Sequence, residues 1–449
     1  MSERISDRTR GMSTYRQALR LALISFLPAP FLRGSRRQTR RGDGRGGRRW
    51  SVVRLIYQMV LMALDESATL GDRFDHAREC LIEMAPGTRR PGKTYQGFVK
   101  ATKRLPPGTL DQLQAHLRKE HPRIAGGRWK RYGWVILACD GSRVEVPRTV
   151  RNEAAFGCAG RDKTGPQLGV TTLYHMGTGL PWAWKVGAGT DSERGQLRAM
   201  LDTLPAESLL VADAGFTGYD LMQTLNAQGT SFLIRVGANV TLLTDLGLEV
   251  KTDGRVVWLW PQDKRDQPPM KLRLIRLPHE NGSDAMYLLT NVFDTERLSD
   301  TLAATFYEMR WGVEVFYRSY KQTLEQRKMR SDAPEQALLE CHGGLLALLR
   351  LGLMSVEGMI AQDEDPLGLS VAAALRIIRD AMRTPRRWRW RGDLRVLRAT
   401  ARKDGDPRHA AKKARNWPHK KREPPPGQPQ TRTATIHETL RAKRVYMAA

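Results

Sequence analysis

The chain has 449 residues, 41% of them hydrophobic, and a formal net charge of +27. The chain is too long to fold around one small hydrophobic core, and its apolar content is too high for a protein that is disordered throughout. We therefore expect two or three structural units. The four cysteines are far apart and lack metal-ligand spacing, which indicates reduced, mostly buried thiols: Cys80, Cys139, Cys158 and Cys341.

The positive charge is concentrated at the two ends of the chain. Residues 1–50 contain 13 Arg against 3 acidic residues, and residues 383–449 contain 20 Lys plus Arg against 5 acidic residues. The part between them has 41 basic and 39 acidic residues, so it is nearly neutral. A neutral body with basic extensions is typical of a globular enzyme that binds a polyanion, and nucleic acid is the leading expected partner.

An anionic membrane is the competing partner for basic flanks. The best apolar stretch of the basic N-terminal arm, Leu19 to Leu32, is interrupted by Arg20, Pro28 and Pro30, and is too short to span a bilayer. An Arg-rich run follows it without a small-residue cleavage site, which argues against a signal peptide. We therefore expect no membrane partner and a cytoplasmic protein.

The first predicted elements are helices. Residues 51–129 have apolar side chains at helical spacing, and Thr94 is placed to cap a second helix. They predict a helical N-terminal unit, a candidate for DNA binding, which follows the basic arm at residues 1–50. Within it, His116 and His121 have no cysteine pair nearby, so we expect ordinary surface histidines.

From residue 130 the pattern changes to alternating strands and helices. Three strands are predicted first, then a helix, a strand, a helix and a strand, in the segments WVILACDGSRVEV, LGVTTLYHM, PWAWKVGAG, ERGQLRAMLDTL, SLLVADAGF, YDLMQTLNAQ and SFLIRV. This order predicts an α/β fold over residues 130–237. The wholly apolar fourth strand predicts a covered, central position in the sheet.

The remaining elements are a β-rich segment, a helical region and a tail. Residues 238–296 contain the short segments VVWLWP, KLRLIRL and AMYLLT, which predict a β-rich insertion with a subdomain of its own. Residues 297–382 are predicted to be helical with breaks at Pro334 and Pro366. Residues 383–449, where three consecutive prolines stand among Lys and Arg, predict a basic, largely disordered tail.

The strongest motif lies in YEMRWGVEVFYRSYK, where Tyr307, Arg310, Glu314 and Lys321 have the spacing Y-x2-R-x3-E-x6-K. On one continuous helix these positions would fall within roughly a 60° arc. Apolar residues fill the neighbouring arc, which predicts a helix that is buried along one side. A surface helix with solvated charges is the competing interpretation, but chance would supply this quartet only on the order of a few times in a thousand chains.

The quartet resembles the third catalytic block of the DDE transposases of bacterial insertion sequences, specifically the family-four elements with a Tyr-Arg-Glu-Lys signature. The resemblance implies two upstream aspartates, and Asp140 in LACDGS and Asp213 in DAGF appear in that order. Taken alone, each aspartate is more often a turn or a strand end. Three blocks in order favour the resemblance, which covers about residues 130 to 350.

The resemblance implies a ribonuclease-H-like catalytic core formed by residues 130–237 and 297–382. Asp140, Asp213 and Glu314 would be the catalytic residues and the ligands of two Mg²⁺ ions, which Mn²⁺ can replace. Mg²⁺ prefers oxygen ligands, so three carboxylates and phosphate oxygens suit it. Two such ions roughly 3.5 to 4 Å apart can activate a water or 3′-hydroxyl and stabilise the departing 3′-oxygen.

The implied activity is that of a DNA transposase that cleaves and joins strands. Its implied partners are the terminal inverted repeats of the element and target DNA, bound by a homodimer in a synaptic complex at the nucleoid. Tyr307, Arg310 and Lys321 would be the DNA-binding residues that hold phosphates. Related enzymes stack an expelled base on an aromatic ring, for which Trp258 and Trp260 are candidates, although alternating aromatics on a strand are more often packing residues.

Two other interpretations stay open. The first is a catalytically inactive, transposase-derived DNA-binding protein. The second is a P-loop ATPase, because Gly87 to Thr94 fits the phosphate-loop pattern, but the preceding HARECLIEM favours a helix where a strand is needed. A GxGxxG match at Gly42 to Gly47 lies in an Arg-rich run with no strand before it, and indicates a flexible arm.

Overall fold

A computed structural model describes residues 49–84, 90–159, 165–248, 255–278, 285–383 and 427–448. Four helices form its N-terminal part: α1 (Val52–Leu64), α2 (Leu70–Met84), α3 (Tyr95–Thr102) and α4 (Thr109–Ala125). The predicted helical character is confirmed, and the Thr94 hydroxyl caps α3 by accepting from the Gly97 N–H. The predicted basic arm lies outside the described residues up to residue 48.

The segment that resembles a phosphate loop has the wrong surroundings for one. It follows α2, so a helix stands where a nucleotide-binding loop follows a parallel strand. Arg78 donates a hydrogen bond of 2.9 Å to the carbonyl of Gly92, whose backbone lies against the Trp50 ring. Residues 87–89 of the pattern lie outside the described residues. The rest of the pattern is part of the packed helical unit.

The central part has the predicted order of three strands, helix, strand, helix and strand, except that a short helix also lies between the first two strands. Its elements are β1 (Val135–Glu145), α5 (Val150–Phe156), β2 (Gln167–His175), β3 (Leu180–Ala188), α6 (Glu193–Arg198), β4 (Ser208–Ala212), α7 (Tyr219–Ala227) and β5 (Ser231–Val236). β1 pairs antiparallel with β2 and parallel with β4, while β4 pairs parallel with β5. All five residues of β4 are buried, so its predicted central position is confirmed.

The predicted β-rich insertion does contain strands, but they continue the same sheet. They are β6 (Thr241–Thr244), β7 (Val256–Leu259), β8 (Met270–Leu277) and β9 (Met286–Thr290). β9 pairs antiparallel with β5, and β8, β7 and β6 follow outwards. The expectation of a subdomain of its own is therefore wrong, because the exposed edge of β5 offers backbone hydrogen bonds that β9 satisfies.

Trp258 and Trp260 are packing residues. Their side chains are 1% and 2% exposed, and they form a small core with Leu243, Leu246 and Ala442. The Trp260 indole N–H donates to two backbone carbonyls. The expectation that either ring stacks on an expelled base is wrong, because neither ring has an open face.

The helical region begins with α8 (Asp300–Met309) and α9 (Trp311–Arg318), continues through a π-helical turn at Ser319–Thr323, and ends with α10 (Pro334–Ile360) and α11 (Val371–Arg383). The predicted break at Pro334 is confirmed, since this proline is the first residue of α10. α10 is long and apolar enough to cross a membrane, but 89% of its most apolar window is buried inside the fold. It is a core helix of this protein.

The end of the chain is more ordered than its composition predicts. Residues 384–426 lie outside the described residues, but β10 (Gln430–Thr433) and α12 (Ile436–Ala448) follow them. β10 pairs parallel with β6 at the edge of the sheet. Glu438 accepts hydrogen bonds from Arg432 and Arg265, and the bond from Arg432 lowers the pKa of the Glu438 carboxyl to about 2. Strand pairing and these ion pairs hold a segment that has little apolar surface to bury.

The sheet has ten strands and helices on both faces. We call the side that packs against α1, α8, α9 and α10 the front face; Ala138, Val211 and Leu233 point to it. We call the side that packs against α6 and α7 the back face; Cys139 and Ala212 point to it. Because successive residues of a strand alternate between faces, this assignment fixes where each later residue of β1, β4 and β5 points.

A buried pair of histidines joins the N-terminal unit to the sheet. His121 on α4 and His175 on β2 each lie 2.8 Å from the Thr178 hydroxyl, and His175 Nε2 lies 3.0 Å from the carbonyl of Trp129. A carbonyl only accepts, so His175 Nε2 carries a proton and Nδ1 accepts from Thr178. The expectation of a surface histidine is wrong for His121, which is 1% exposed because α4 packs on the hairpin of β2 and β3.

The histidine pair predicts a loss of stability in acid. Burial lowers the pKa of His175 to about 4, so the unfolded chain takes up a proton more readily than the folded one. Stability is therefore complete above the ordinary pKa near 6.5 and is lost as pH falls below it, by about 2 kcal/mol at about pH 5. Urea denaturation should be measured at about pH 5 and at a pH above the ordinary pKa of histidine. On acidification, His175→Gln should lose less free energy of unfolding than the wild type.

The matched control for this prediction is His116→Gln, on the same helix as His121. This variant should keep the acid sensitivity of the wild type. Equal acid sensitivity in His175→Gln and the wild type would contradict the prediction.

Candidate active site

The structure brings Asp140 and Asp213 side by side. Cys139 on β1 pairs with Ala212 on β4, and each aspartate is the next residue of its chain. Neighbouring strands lie about 4.8 Å apart. Since Cys139 and Ala212 point to the back face, the alternation of strand residues directs both aspartates to the front face.

Each aspartate is held by the backbone that follows it. Asp140 Oδ1 accepts a hydrogen bond of 2.9 Å from the Gly141 N–H. Asp213 Oδ1 accepts one of 2.9 Å from the Gly215 N–H, at the start of a 3₁₀ turn at Ala214–Phe216. These bonds fix the orientation of the two carboxyl groups.

The spacing predicted that the Tyr-Arg-Glu-Lys residues share one continuous helix. The structure divides them among three segments instead. Tyr307 lies in the last turn of α8, Glu314 lies on α9, and Lys321 lies in the π-helical turn. The break is at Arg310, whose N–H donates to the carbonyl of Tyr307 and whose carbonyl accepts from Val313, both three residues away. These tighter bonds interrupt the α-helical hydrogen-bond pattern between Tyr307 and Glu314.

Arg310 is the centre of the site. Its guanidinium lies 5.4 Å from the centroid of the Tyr307 ring and 3.1 Å from Glu314 Oε1. The charge of Asp140 also acts on it, and together with Tyr307 and Glu314 raises the pKa of Arg310 although burial opposes this. Arg310 thus stands between two of the predicted catalytic carboxylates.

Asp140 lies in an environment crowded with negative charge. Burial raises the pKa of its carboxyl to about 7, and Asp213 and Glu193 act in the same direction, while the Gly141 N–H and Arg310 oppose them. Glu193, the first residue of α6, lies directly against Gly141, where any Cβ would overlap its carboxyl group. Burial also raises the pKa of Glu193. A nearby cation would relieve this concentration of charge.

Tyr317 fixes the helix of Glu314 onto the sheet. Its hydroxyl lies 2.8 Å from the carbonyl of Val170, 3.0 Å from that of Asp140 and 3.0 Å from the Thr172 hydroxyl. Tyr317 is one helical turn from Glu314, so this contact sets the position of Glu314 relative to β1. The buried hydroxyl is therefore a positioning group for the site.

The carboxylates of the site suit a hard divalent cation, but Glu314 can contribute only after it leaves Arg310. Asp140 and Asp213 offer neighbouring carboxylate oxygens, the ligands that Mg²⁺ prefers. Within the ranges that the structure describes, no three His, Cys, Asp or Glu side chains are grouped closely enough to hold a metal ion. Glu314 pairs with Arg310 in this conformation, so it must exchange that partner before it can complete a metal site.

Sequence reasoning missed three residues of this site. Arg235 follows Ile234, which pairs with Ala212, so it stands beside Asp213. It is the one charged residue in the otherwise apolar segment FLIRV, which was a usable signal for it. Glu193 and Tyr317 carried no such signal, because their roles depend on contacts with strands far away in the chain. The structure brings together the predicted Asp140 and Asp213 at the front face, and Lys321 lies further along, half-buried in the π-helical turn.

The raised pKa of Asp140 predicts how its replacement affects stability. A carboxyl whose folded pKa is raised to about 7 contributes stability at low pH, and this is lost as pH rises from its ordinary pKa towards 7. Asp140→Asn removes the charge at nearly constant volume. In the presence of a chelator, its advantage over the wild type in urea denaturation should grow by about 2 kcal/mol between about pH 5 and pH 8. A difference that does not change with pH would contradict the prediction.

Removing the Tyr317 hydroxyl should weaken the fold. Tyr317→Phe leaves buried acceptors with one donor fewer, so the free energy of unfolding should fall by about 1–3 kcal/mol. Urea denaturation measures this loss. Tyr132→Phe is the control, because the Tyr132 side chain is 69% exposed. Equal stability of the two variants would exclude the positioning role of the hydroxyl.

Comparison with known proteins shows what the segment that contains this site is similar to. Residues 132–350 match the family model of the "Transposase DDE domain". The chain is 25% identical over 320 residues to transposase InsG for insertion sequence element IS4 of Escherichia coli K12, an alignment that covers 67% of this chain and 69% of that protein. A solved piggyBac transposase synaptic complex with hairpin DNA is similar over 86% of both chains, with 12% identity and a TM-score of 0.44. Residues 132–350 of this chain are therefore similar to the transposase DDE domain.

Proposed function

We propose that this protein is a DNA transposase that cleaves the ends of an insertion sequence and joins them to target DNA by metal-dependent phosphoryl transfer. The observation that carries the proposal is the pair of Asp140 and Asp213, in register at the front face beside the helices of Arg310 and Glu314. Both aspartates and the quartet lie inside the matched domain. We propose Asp140, Asp213 and Glu314 as the catalytic residues.

Arg310 is suited to hold a phosphate of the DNA. Its Nε is buried and has no hydrogen-bond partner among the described residues, while its Nη2 donates to Glu314 Oε1. A buried donor without an acceptor is costly, and a phosphate oxygen would satisfy it. When DNA arrives, exchange of Glu314 for phosphate on the guanidinium would release the carboxylate for its own role.

Tyr307 and Lys321 would also contribute to binding of the DNA backbone. Tyr307 is 7% exposed, and its ring lies beside the guanidinium of Arg310, so it would mainly orient that group. Lys321 lies in a π-helical turn, a feature that is frequent at functional sites. We propose both as DNA-binding residues.

We propose two Mg²⁺ ions, replaceable by Mn²⁺, as the cofactors. Asp140, Asp213 and Glu314 would hold them, and the bound ions would activate the attacking hydroxyl and stabilise the leaving oxygen. The residues of the chain supply the rest: backbone N–H groups fix the two aspartates, and Tyr317 holds the helix of Glu314 against β1.

The DNA partners would be the terminal inverted repeats of the element and its target, bound by a homodimer in a synaptic complex at the bacterial nucleoid. The relative from Escherichia coli is named as the transposase of an insertion sequence element, which supports this assignment. The basic ends of the chain would add nonspecific affinity for phosphates, so binding should weaken steeply as salt rises.

Replacement of Glu314 tests the proposed reaction. Glu314→Gln removes a metal ligand but keeps the shape of the side chain, so cleavage should fall by about 1,000-fold or more while DNA binding changes little. The substrate is duplex DNA from the two genomic segments that flank the coding sequence, incubated with Mg²⁺. Sequencing gels map any new 3′-hydroxyl ends, and a gel-shift assay measures binding.

Glu308→Gln is the matched control, because Glu308 is an exposed glutamate on α8, close to the break at Arg310. It should cleave like the wild type. Cleavage by Glu314→Gln at the wild-type rate would contradict the proposal. A wild-type protein that binds the flanking segments but never cleaves them would favour the inactive, DNA-binding alternative.

A further inference from the structure

A cleft of about 300 Å³ lies between one edge of the sheet and the N-terminal helices. Among the described strands, β3 is the last on this side of the sheet. Trp184 and Val186 of β3 form one wall of the cleft, and the loop between α3 and α4 forms the opposite wall. Half-buried apolar side chains line the space between them: Leu105, Leu110 and Leu339. The cleft is therefore a recess with apolar side chains beside the backbone of an edge strand.

The backbone of β3 has one open position at this edge, Val186. The Trp184 N–H donates to Gln114 Oε1 at 3.4 Å, and the Ala188 N–H donates to Asp191 Oδ2 at 2.9 Å. Both N–H groups therefore point away from β2, and the alternation of an antiparallel ladder turns the N–H and C=O of Val186 the same way. Within the described ranges, neither group of Val186 has a side-chain or loop partner. Another strand can add at such an open position.

The wall formed by Trp184 is fixed in place. The Trp184 side chain is 3% exposed, and its indole N–H donates to His342 Nδ1 at 3.2 Å. His342 belongs to the core helix α10 and also lines the cleft. The cleft is therefore formed before anything binds in it, which lowers the entropic cost of binding.

The basic N-terminal arm contains a segment whose sequence fits this edge. In LPAPF, residues 27–31, both prolines lack an N–H, so Ala29 carries the one backbone donor of the three central residues. A residue that precedes proline favours extended backbone, which applies to Leu27 and Ala29. A segment with prolines on both sides of one donor can pair at a single position, and β3 offers a single open position. The two donor patterns are therefore complementary.

The arm joins the described part of the chain close to the cleft. The ring centroid of Trp50 lies 5.4 Å from that of Phe98 on α3. Thr102, one helical turn further along α3, lines the cleft, about 6 Å away along the helix axis. Residues 32–49 connect the segment to Trp50 and can extend over roughly 60 Å, so the segment can reach β3 within one chain.

We propose that residues 27–31 of the N-terminal arm bind in this cleft as an added antiparallel strand, paired with β3 at Val186. Ala29 would exchange two backbone hydrogen bonds with Val186, as in a hydrogen-bonded antiparallel pair. A parallel strand would spread these bonds over two partner residues, so a single open position selects antiparallel pairing. Phe31 would then stand beside Trp184 and fill the cleft. The prolines would have their nitrogens on the side away from β3, as an edge strand allows.

Docking of the segment would also fix the Arg-rich run that follows it. Residues 33–49 contain eight arginines. Held at Phe31 on one side and at Trp50 on the other, these arginines would stay against the N-terminal unit and concentrate positive charge there. The pairing itself does not depend on the proposed function, because it concerns two parts of the same chain.

Hydrogen–deuterium exchange of the full-length protein, resolved to single amides, tests the pairing. The Val186 N–H should exchange about 100-fold more slowly than an open amide, because docking bonds it to Ala29. Ala29→Pro removes the donor of the segment and Phe31→Asp places a charge in the cleft, so each should restore fast exchange. Ala22→Pro, in the same arm but outside the segment, is the control and should keep the protection.

A disulfide cross-link tests the register. In the proposed pairing, Pro30 stands opposite Lys185, an exposed residue of β3, in a non-hydrogen-bonded pair with Cα atoms about 4.5 Å apart. Pro30→Cys combined with Lys185→Cys should therefore form a disulfide within one chain under mild oxidation. Pro30→Cys combined with Lys271→Cys is the control, because Lys271 is exposed on β8, several strands away.

The outcomes decide what occupies the cleft. Fast exchange of the Val186 N–H in the wild type would overturn the proposal, as would protection that survives both Ala29→Pro and Phe31→Asp. A cross-link that joins two chains would assign the cleft to the arm of a second copy and overturn docking within one chain. Neither readout involves DNA cleavage, so a failure of the proposed function would leave both results unchanged.

Discussion

Parallel pairing between β1, β4 and β5 sets the level at which three strands present charged side chains. The paired residues Cys139, Ala212 and Ile234 form one row across the sheet, and the next row is charged. A slip of one residue in β4 would turn Asp213 to the back face, away from Asp140. The wholly buried sequence of β4 prevents such a slip, because the apolar residues of both faces are already packed into two cores.

This row of charges has a cost that the surrounding residues reduce. A buried carboxylate is unfavourable, and Asp140 feels both burial and the charges of Asp213 and Glu193. The positive charge of Arg310, which lies between the helices α8 and α9, opposes the rise in the pKa of Asp140. Arg235 stands at the end of the row on β5. The fold therefore tolerates a concentration of acidic groups that a purely structural sheet would avoid. Such an arrangement is typical of functional sites.

Much of the central fold could be predicted from the sequence, because alternation and apolar runs are local properties. The order of strands and helices from β1 to β5 and the central place of β4 follow from such patterns. Pairing partners do not: nothing in KLRLIRL or AMYLLT indicates that β8 and β9 extend the sheet of β5. The ordered end of the chain was hidden for a similar reason, since β10 and the ion pairs of Glu438 need partners far away in sequence.

The candidate site was predictable in its residues and less so in its geometry. The spacing of Tyr307, Arg310 and Glu314 drew attention to a segment that the structure places beside Asp140, but periodicity assumes a straight helix. The break at Arg310 lets Tyr307 enter the core while Glu314 stays a third exposed on the next helix. The side chain of Arg310 interacts with both Asp140 and Glu314. Arg310 therefore places a cation between carboxylates that would otherwise repel each other.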